Sequence, residues 1–471
     1  MKRFIFMTWL VVGHSVSYCQ ELETNPNAGA ITSDILDRVE FLANVDPIKM
    51  KFISQHGTSK ISEKNDDLEI PLFHDHIIDV GKVHDQKQSG RCWIFSEEKL
   101  FSQALRAKWG SDFSFSQSFI AFWDKFERAN FIMNEVMSAA VKRVPLNDYE
   151  LKAVINLAGD GGEWTFFKNI VRKYGLVPAQ AMKETNFSGN SSGYTDLIKE
   201  EIIQCSVELY KNPKQEYKEK CLANVYKILV YYLGEPPKTV LWPIDKEKKV
   251  YQYLTPKDFL DMSKIELDDY VHISHLPHLN ENGLVLVTNV GNVWESERLK
   301  TVSVSMQLLK NAYKNSILAD IPVPIGTSIK GLNHQNNLFS LSGNKTRKIL
   351  GLDSIKICSK EEGLLCGRDR IDHGMIGIGI RLHSDDSEFP MEFKMPEHTR
   401  GELFLVQNSW GEDSSKLFMT SEWIDRYVYS VLVHKDFVPF EVYEKYINES
   451  AEDVIFIEAT DPFALVTTSN N

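Results

Sequence analysis

The chain has 471 residues, 43% hydrophobic and 25% charged, which is globular composition with length for two or three domains. A formal net charge of −12 excludes a general basic footprint, so no nucleic-acid partner is expected. No segment beyond the N-terminus is apolar enough to span a membrane, and there is no repeat or low-complexity tract.

At the N-terminus, Lys2 and Arg3 precede an apolar run from Phe4 to Val12 and small residues at Ser15 and Ser17. That is the order of a secretory signal, here spanning residues 1–19, and export to a periplasmic or extracellular space is the expectation. Lipid attachment at Cys19 is a competing reading that bulky Tyr18 fits poorly, and a buried N-terminal helix of a cytosolic protein is a third. Residues 20–69 are mixed and polar and read as a lead-in. His74-Asp75-His76 lacks a third ligand at metal spacing and reads as a strand with solvated histidines, so no metal and no cofactor is expected.

Next in the chain, Ile94, Phe101, Leu105 and Trp109 recur at helical spacing up to Gly110, which puts Cys92 at a helix N-terminus. FSQSFIAFWDKFERANFIMNEVM and EWTFFKNIVRKYG are further helices, and a charged, helix-rich region follows from Asp196 to about Leu233. Beyond Gly283 the texture changes to short β-prone runs: LVLVTNV, MIGIGIRL, GELFLVQ and YVYSVLVHK. Six cysteines are present, and loss of Cys19 leaves five. In an oxidising space an odd count suggests two bridges and one free thiol. Cys205 with Cys221 and Cys358 with Cys366 are close pairs that leave Cys92 alone, while unpaired buried thiols are the alternative.

A thiol attacks as thiolate, and a helix N-terminus favours that charge. In Gln86-Lys-Gln-Ser-Gly-Arg-Cys92, the Gln86 amide can donate to an oxyanion together with the Cys92 backbone N–H, and Gly90 permits a tight turn. A lone Cys before a helix is more often a packed core residue. His373 opens the alternating run Gly374–Ile380 and can serve as base; Asn408, before Ser409-Trp410-Gly411, can hold the imidazole, with Trp410 keeping water from that bond. A structural His and a plain turn are the bland readings of these two.

Jointly, in the order Gln, Cys, His, Asn, these segments resemble the active-site signatures of papain-like cysteine peptidases. The long separation of Cys92 from His373 points to the bleomycin hydrolase/aminopeptidase C branch. Ser116–Phe131, Gly161–Pro178, Met182–Ser192 and Ser421–Pro439 resemble that branch too. Gly374, where the branch usually has Ala, and Gln407, where an acid is usual, depart from it.

The resemblance implies an α+β, two-lobed papain-like fold with a large helical insertion. The helical lobe would span 70–195 with Cys92, the insertion 196–290, and the β-rich lobe 291–445 with His373 and Asn408. The stretch 446–471 would be an arm lying in the cleft, with Leu465 near its end at the substrate. Gly161 and Gly162 would pair with a peptide's main chain, and Trp410 would border the substrate, although a simple turn explains the glycines equally well. The implied activity is that of a thiol protease, an aminopeptidase acting on peptides; hexameric rings are the assembly of similar proteins. A cysteine endopeptidase and a catalytically silent peptide-binding chamber are the alternatives. Because the chain continues from Val466 to Asn471 past the arm's resemblance, self-trimming toward Ala464 or Leu465 is also expected.

Overall fold

This computed structural model describes residues 31–57, 75–245, 248–328, 334–335, 338–339, 341, 350–352, 358–382, 401–411, 416–449 and 454–464. The signal-like segment, Cys19, His74 and Leu465 with the residues after it lie outside the described residues. The chain divides into two units, one of residues 1–66 with 344–354, the other of 67–343 with 355–471.

The first unit is more regular than the polar lead-in expected from composition. Thr32 accepts from the Ile35 N–H and starts the helix Ser33–Ala43; Asp46 and Pro47 then start Pro47–His56. Neither helix buries a residue, and Phe41, Leu42 and Ile48 are exposed.

In the second unit the helix Cys92–Trp109 buries all of its first eleven residues. It is flanked by Gln117–Lys142, capped by Ser116, and Trp164–Tyr174, capped by Glu163. Phe101 stacks on Trp164 and Phe167 at centroid distances of 5.8 Å, which joins the helix Cys92–Trp109 to the next layer. The charged region forms the helices Ser192–Lys211 and Gln215–Leu233, broken at Asn212 and Pro213, and Cys205 is disulfide-bonded to Cys221 between them. The second expected bridge is absent: Cys358 and Cys366 are free thiols. A helix, Lys360–Leu365, lies between them, with Cys366 at its C-cap and Cys358 before its N-cap Ser359.

One mixed sheet carries the β-rich half. Across it run Val454–Ile457, Leu284–Val287, Lys300–Ser303, Tyr270–Ser274, Val428–His434, Val323–Thr327, His373–Arg381, Leu403–Gln407 and Lys416–Thr420. Tyr270–Ser274 and Leu284–Val287 belong to this sheet, so it starts earlier in the chain than residue 291. The strand from His373 is central and buried nearly throughout, and the helix Cys92–Trp109 packs on it, with Ser96 Oγ donating to the Met375 carbonyl at 2.7 Å. The site forms along this helix–sheet contact. His76 lies in a strand that extends the sheet and, partly exposed, bonds the exposed Asp320 at 2.9 Å.

Candidate active site

The helix Cys92–Trp109 begins at the expected nucleophile, and the residue before it, Arg91, makes no side-chain cap. The first-turn N–H groups are therefore not claimed by a capping oxygen. Backbone hydrogen bonds from Gly374 and Trp93 both favour a charge on the Cys92 sulfur. Arg91 forks onto Glu184 instead, at 2.9 and 2.7 Å; burial works against the Glu184 charge, but Arg91 and Ser118 hold its carboxyl down to about 2. The Gly90 turn is pressed on its neighbours, since a Cβ there would come within 2.3 Å of Asp160 Cβ, and its carbonyl accepts from Gly161 N–H at 3.2 Å. Asp160 is itself gripped by Lys125, Ser191 and Thr195. The loop before the nucleophile and the glycine loop are thus one unit.

Strand register assembles the other half. Ile376 pairs with Gln407 in the antiparallel ladder. That register brings Asn408 and Trp410, just past the strand's end, alongside His373 at the start of the neighbouring strand. Accordingly His373 Nε2 lies 3.0 Å from Asn408 Oδ1, and the Trp410 ring lies 5.1 Å from the imidazole. The Ser409 N–H also donates to Asn408 Oδ1, at 2.9 Å, which fixes the amide oxygen toward the ring. An oxygen only accepts, so Nε2 carries the hydrogen and Nδ1 is left as the basic nitrogen.

Burial pushes the Cys92 thiol up to about 11, partly countered by the Gly374 and Trp93 hydrogen bonds. Burial likewise pushes His373 down to about 4, against the Asn408 bond. A charge on either group alone is disfavoured. Proton transfer from Cys92 to His373 creates both charges together, and their attraction in a water-poor cleft offsets the cost of burying each.

Cys92, Gly161, Gly162 and His373 line one open cavity of about 620 Å³, and so does Phe463 from the C-terminal segment. Asn408 and Trp410 stand behind His373 rather than on this cavity. Trp410 packs on the imidazole of His373. Gln86 is buried; its amide N donates to the Ser89 carbonyl at 2.7 Å and its Oε1 accepts from Ser409 Oγ. One amide hydrogen remains available to another acceptor. At Gly162 a Cβ would sit 2.5 Å from the Trp93 ring, so this position must lack a side chain.

Sequence reasoning missed Glu97, Glu163 and His272, which line the same cavity. The available signal was the acidic pair Glu97-Glu98 inside an apolar-periodic helix, five residues beyond Cys92.

Residues 45–464 match the model of the Peptidase C1-like family. The chain is 29% identical to aminopeptidase C of Listeria monocytogenes serovar 1/2a over 88% of this chain and 92% of that one. It is 30% identical to aminopeptidase E of Lactobacillus helveticus, over 77% and 82%. Bleomycin hydrolase of Gallus gallus is 28% identical, over 83% and 88%. The crystal structure of PepW from Lactobacillus rhamnosis HN001 superposes with a TM-score of 0.78 at 25% identity, covering 93% of this chain and 99% of that one.

Proposed function

This chain belongs to the peptidase C1-like family, and from that premise we propose that it is a cysteine-type aminopeptidase that removes N-terminal residues from peptides. The observation that carries the reading is the Asn408–His373 bond beside Cys92, which opens a helix onto a cavity already entered by the chain's own C-terminal segment. Cys92 Sγ gives its proton to His373 and attacks the scissile carbonyl. The Cys92 backbone N–H and the Gln86 amide receive the oxyanion. His373 then protonates the leaving amine, and water, activated by the same imidazole, hydrolyses the thioester. Gly161 and Gly162 lie where a peptide's main chain would pass the nucleophile.

Phe463 and Ala464 are buried, with Phe463 on the cavity wall. A segment seated there takes up space in the cavity beside Cys92, which favours exopeptidase over endopeptidase action if it lies on the amino side of the scissile bond. Export through an N-terminal signal fits the Cys205–Cys221 bridge, and a hexameric ring is the assembly we favour by resemblance. The test compares free aminoacyl coumarin amides with N-acetylated peptides, using wild type and Cys92→Ala. We expect turnover of free substrates only, abolished in Cys92→Ala at unchanged Tm. Turnover retained in Cys92→Ala removes the thiol mechanism, and equal cleavage of blocked peptides replaces the aminopeptidase by an endopeptidase.

A further inference from the structure

The cavity beside Cys92 has an acidic recess that the reaction just described does not use. Glu97 comes from the nucleophile helix, Glu163 from the cap of Trp164–Tyr174, and His272 from the sheet strand Tyr270–Ser274. Glu97 is 5% exposed, and the side chains of Glu163 and His272 are 10% and 7% exposed. Glu97 Oε2, Glu163 Oε2 and His272 Nδ1 have no hydrogen-bond partner, and Glu163 Oε2 stands 3.9 Å from His272 Nδ1. Among the described residues no lysine or arginine pairs with either carboxyl.

Two buried acids without a cation are costly to keep, and buried charges are ordinarily paired or neutralised. Burial raises Glu97 well above the ordinary carboxylate range, with Glu163 adding to the effect, and pushes Glu163 up to about 7. Burial also holds His272 down to about 4, so it contributes no positive charge at neutral pH. A metal ion is not the missing partner on geometry. Among the described residues the one group whose ligand atoms all converge within 4.8 Å is Glu201, Cys205 and Cys221, not this one.

We propose that the recess of Glu97, Glu163 and His272 receives the ammonium or guanidinium group of a basic side chain on the residue amino-terminal to the scissile bond, which makes the enzyme selective for lysine and arginine. The reach supports a side chain rather than the α-amino group. Glu97 lies five residues beyond Cys92 on one helix, about 7.5 Å along its axis, whereas an α-nitrogen is two covalent bonds from the carbonyl that Cys92 attacks. A long side chain with a terminal cation spans that gap. Once seated it faces two carboxylates in a site shielded from water, where a neutral side chain leaves both oxygens unpaired. The imidazole, neutral and with Nδ1 free, can accept one hydrogen from a guanidinium.

The inference deepens the aminopeptidase reading and rests on it, so its test separates the two. Values of kcat/KM are measured for arginine, lysine, norleucine and glutamate coumarin amides in wild type, Glu97→Gln and Glu163→Gln, with folding checked by circular dichroism. We expect arginine and lysine to exceed norleucine at least tenfold, and each variant to cut that ratio by about tenfold while circular dichroism stays native. A ratio near one in wild type, or one that neither variant moves, overturns the proposal. Should a variant fail to fold, calorimetry on Cys92→Ala decides instead. Argininamide should bind at least tenfold tighter than norleucinamide and release protons near pH 7, because Glu163 must ionise to receive it. Equal binding overturns the recess. Tighter binding of argininamide by an enzyme that turns over no aminoacyl substrate supports the recess and removes the aminopeptidase reading.

Discussion

Glu163 shows how one side chain can serve two ends. Its Oε1 accepts from the Phe166 N–H at 3.2 Å and starts a helix, while its Oε2 is buried without a partner. Burial raises its folded pKa to about 7 from an ordinary carboxyl's 4.5, so the folded state holds the proton more tightly than the unfolded chain. Stability from this group is full below about 4.5 and is lost as pH rises through about 7. Glu163→Gln should therefore gain stability relative to wild type over that window, by about 3 kcal/mol at most. Histidines shifted down, such as His84, His272 and His373, give wild type an opposing slope, but both proteins share it and it cancels in the difference. Thermal melts of both proteins from pH 4 to pH 8 check this; a difference that does not grow with pH counts against it. At this scale the sequence was readable where chemistry demands a residue type. Cys92, His373 and Asn408 were singled out because a thiolate, its base and its orienter would need those groups in that order, and the fold brings the three together. Glu97 and His272 did not, because an acid on a helix or a His in a strand ordinarily faces water, and only tertiary packing buries them.

Among the elements, the helices Ser192–Lys211 and Gln215–Leu233 depend on a cross-link more than the sheet does. The second helix buries only four residues, while Tyr231 is exposed. The Cys205–Cys221 bridge closes a loop with a sequence separation of 16, worth about 3 kcal/mol in the chain-entropy account. Reductant should lower the Tm of wild type and leave Cys205→Ser with Cys221→Ser, already destabilised, where it is; equal Tm values for the two oxidised proteins would mean that the bridge contributes nothing. Elements with strong local signals were legible: Cys92–Trp109 from its apolar period, and the strands after Gly283 from their β-branched runs. Ser33–Ala43 and Pro47–His56 were not, because polar surroundings masked good caps at Thr32 and Asp46. The Cys358–Cys366 pairing failed because proximity in sequence says nothing about a helix inserted between the two thiols.

At the scale of the molecule, the two-lobed plan was legible through resemblance, whereas the path of the C-terminal segment through the sheet was not. Val454–Ile457 pairs in parallel with Leu284–Val287, from a strand far earlier in the chain, and Thr288 N–H donates to the Ile457 carbonyl at 2.8 Å. Pairing between such distant segments leaves no local trace. Glu150 then receives the Ala459 N–H at 2.8 Å and the Thr460 hydroxyl at 2.7 Å, just before Phe463 enters the cavity. Removing that clamp with Glu150→Ala should loosen the segment and raise cleavage of N-acetylated peptides several-fold relative to free ones. The ratio of the two kcat/KM values measures it, and an unmoved ratio shows that Glu150 does not hold the segment in place. The strand and the clamp together make the segment a measuring stick whose zero is nailed to the edge of the sheet. What such a stick gauges is length, not identity: how much substrate fits before it touches the tip. Between Ile457 and Phe463 both the count of residues and the gripped side chains, Thr460 on Glu150 and Asp461 on His278, set where the stick ends, and one residue more or fewer would change where every substrate is cut.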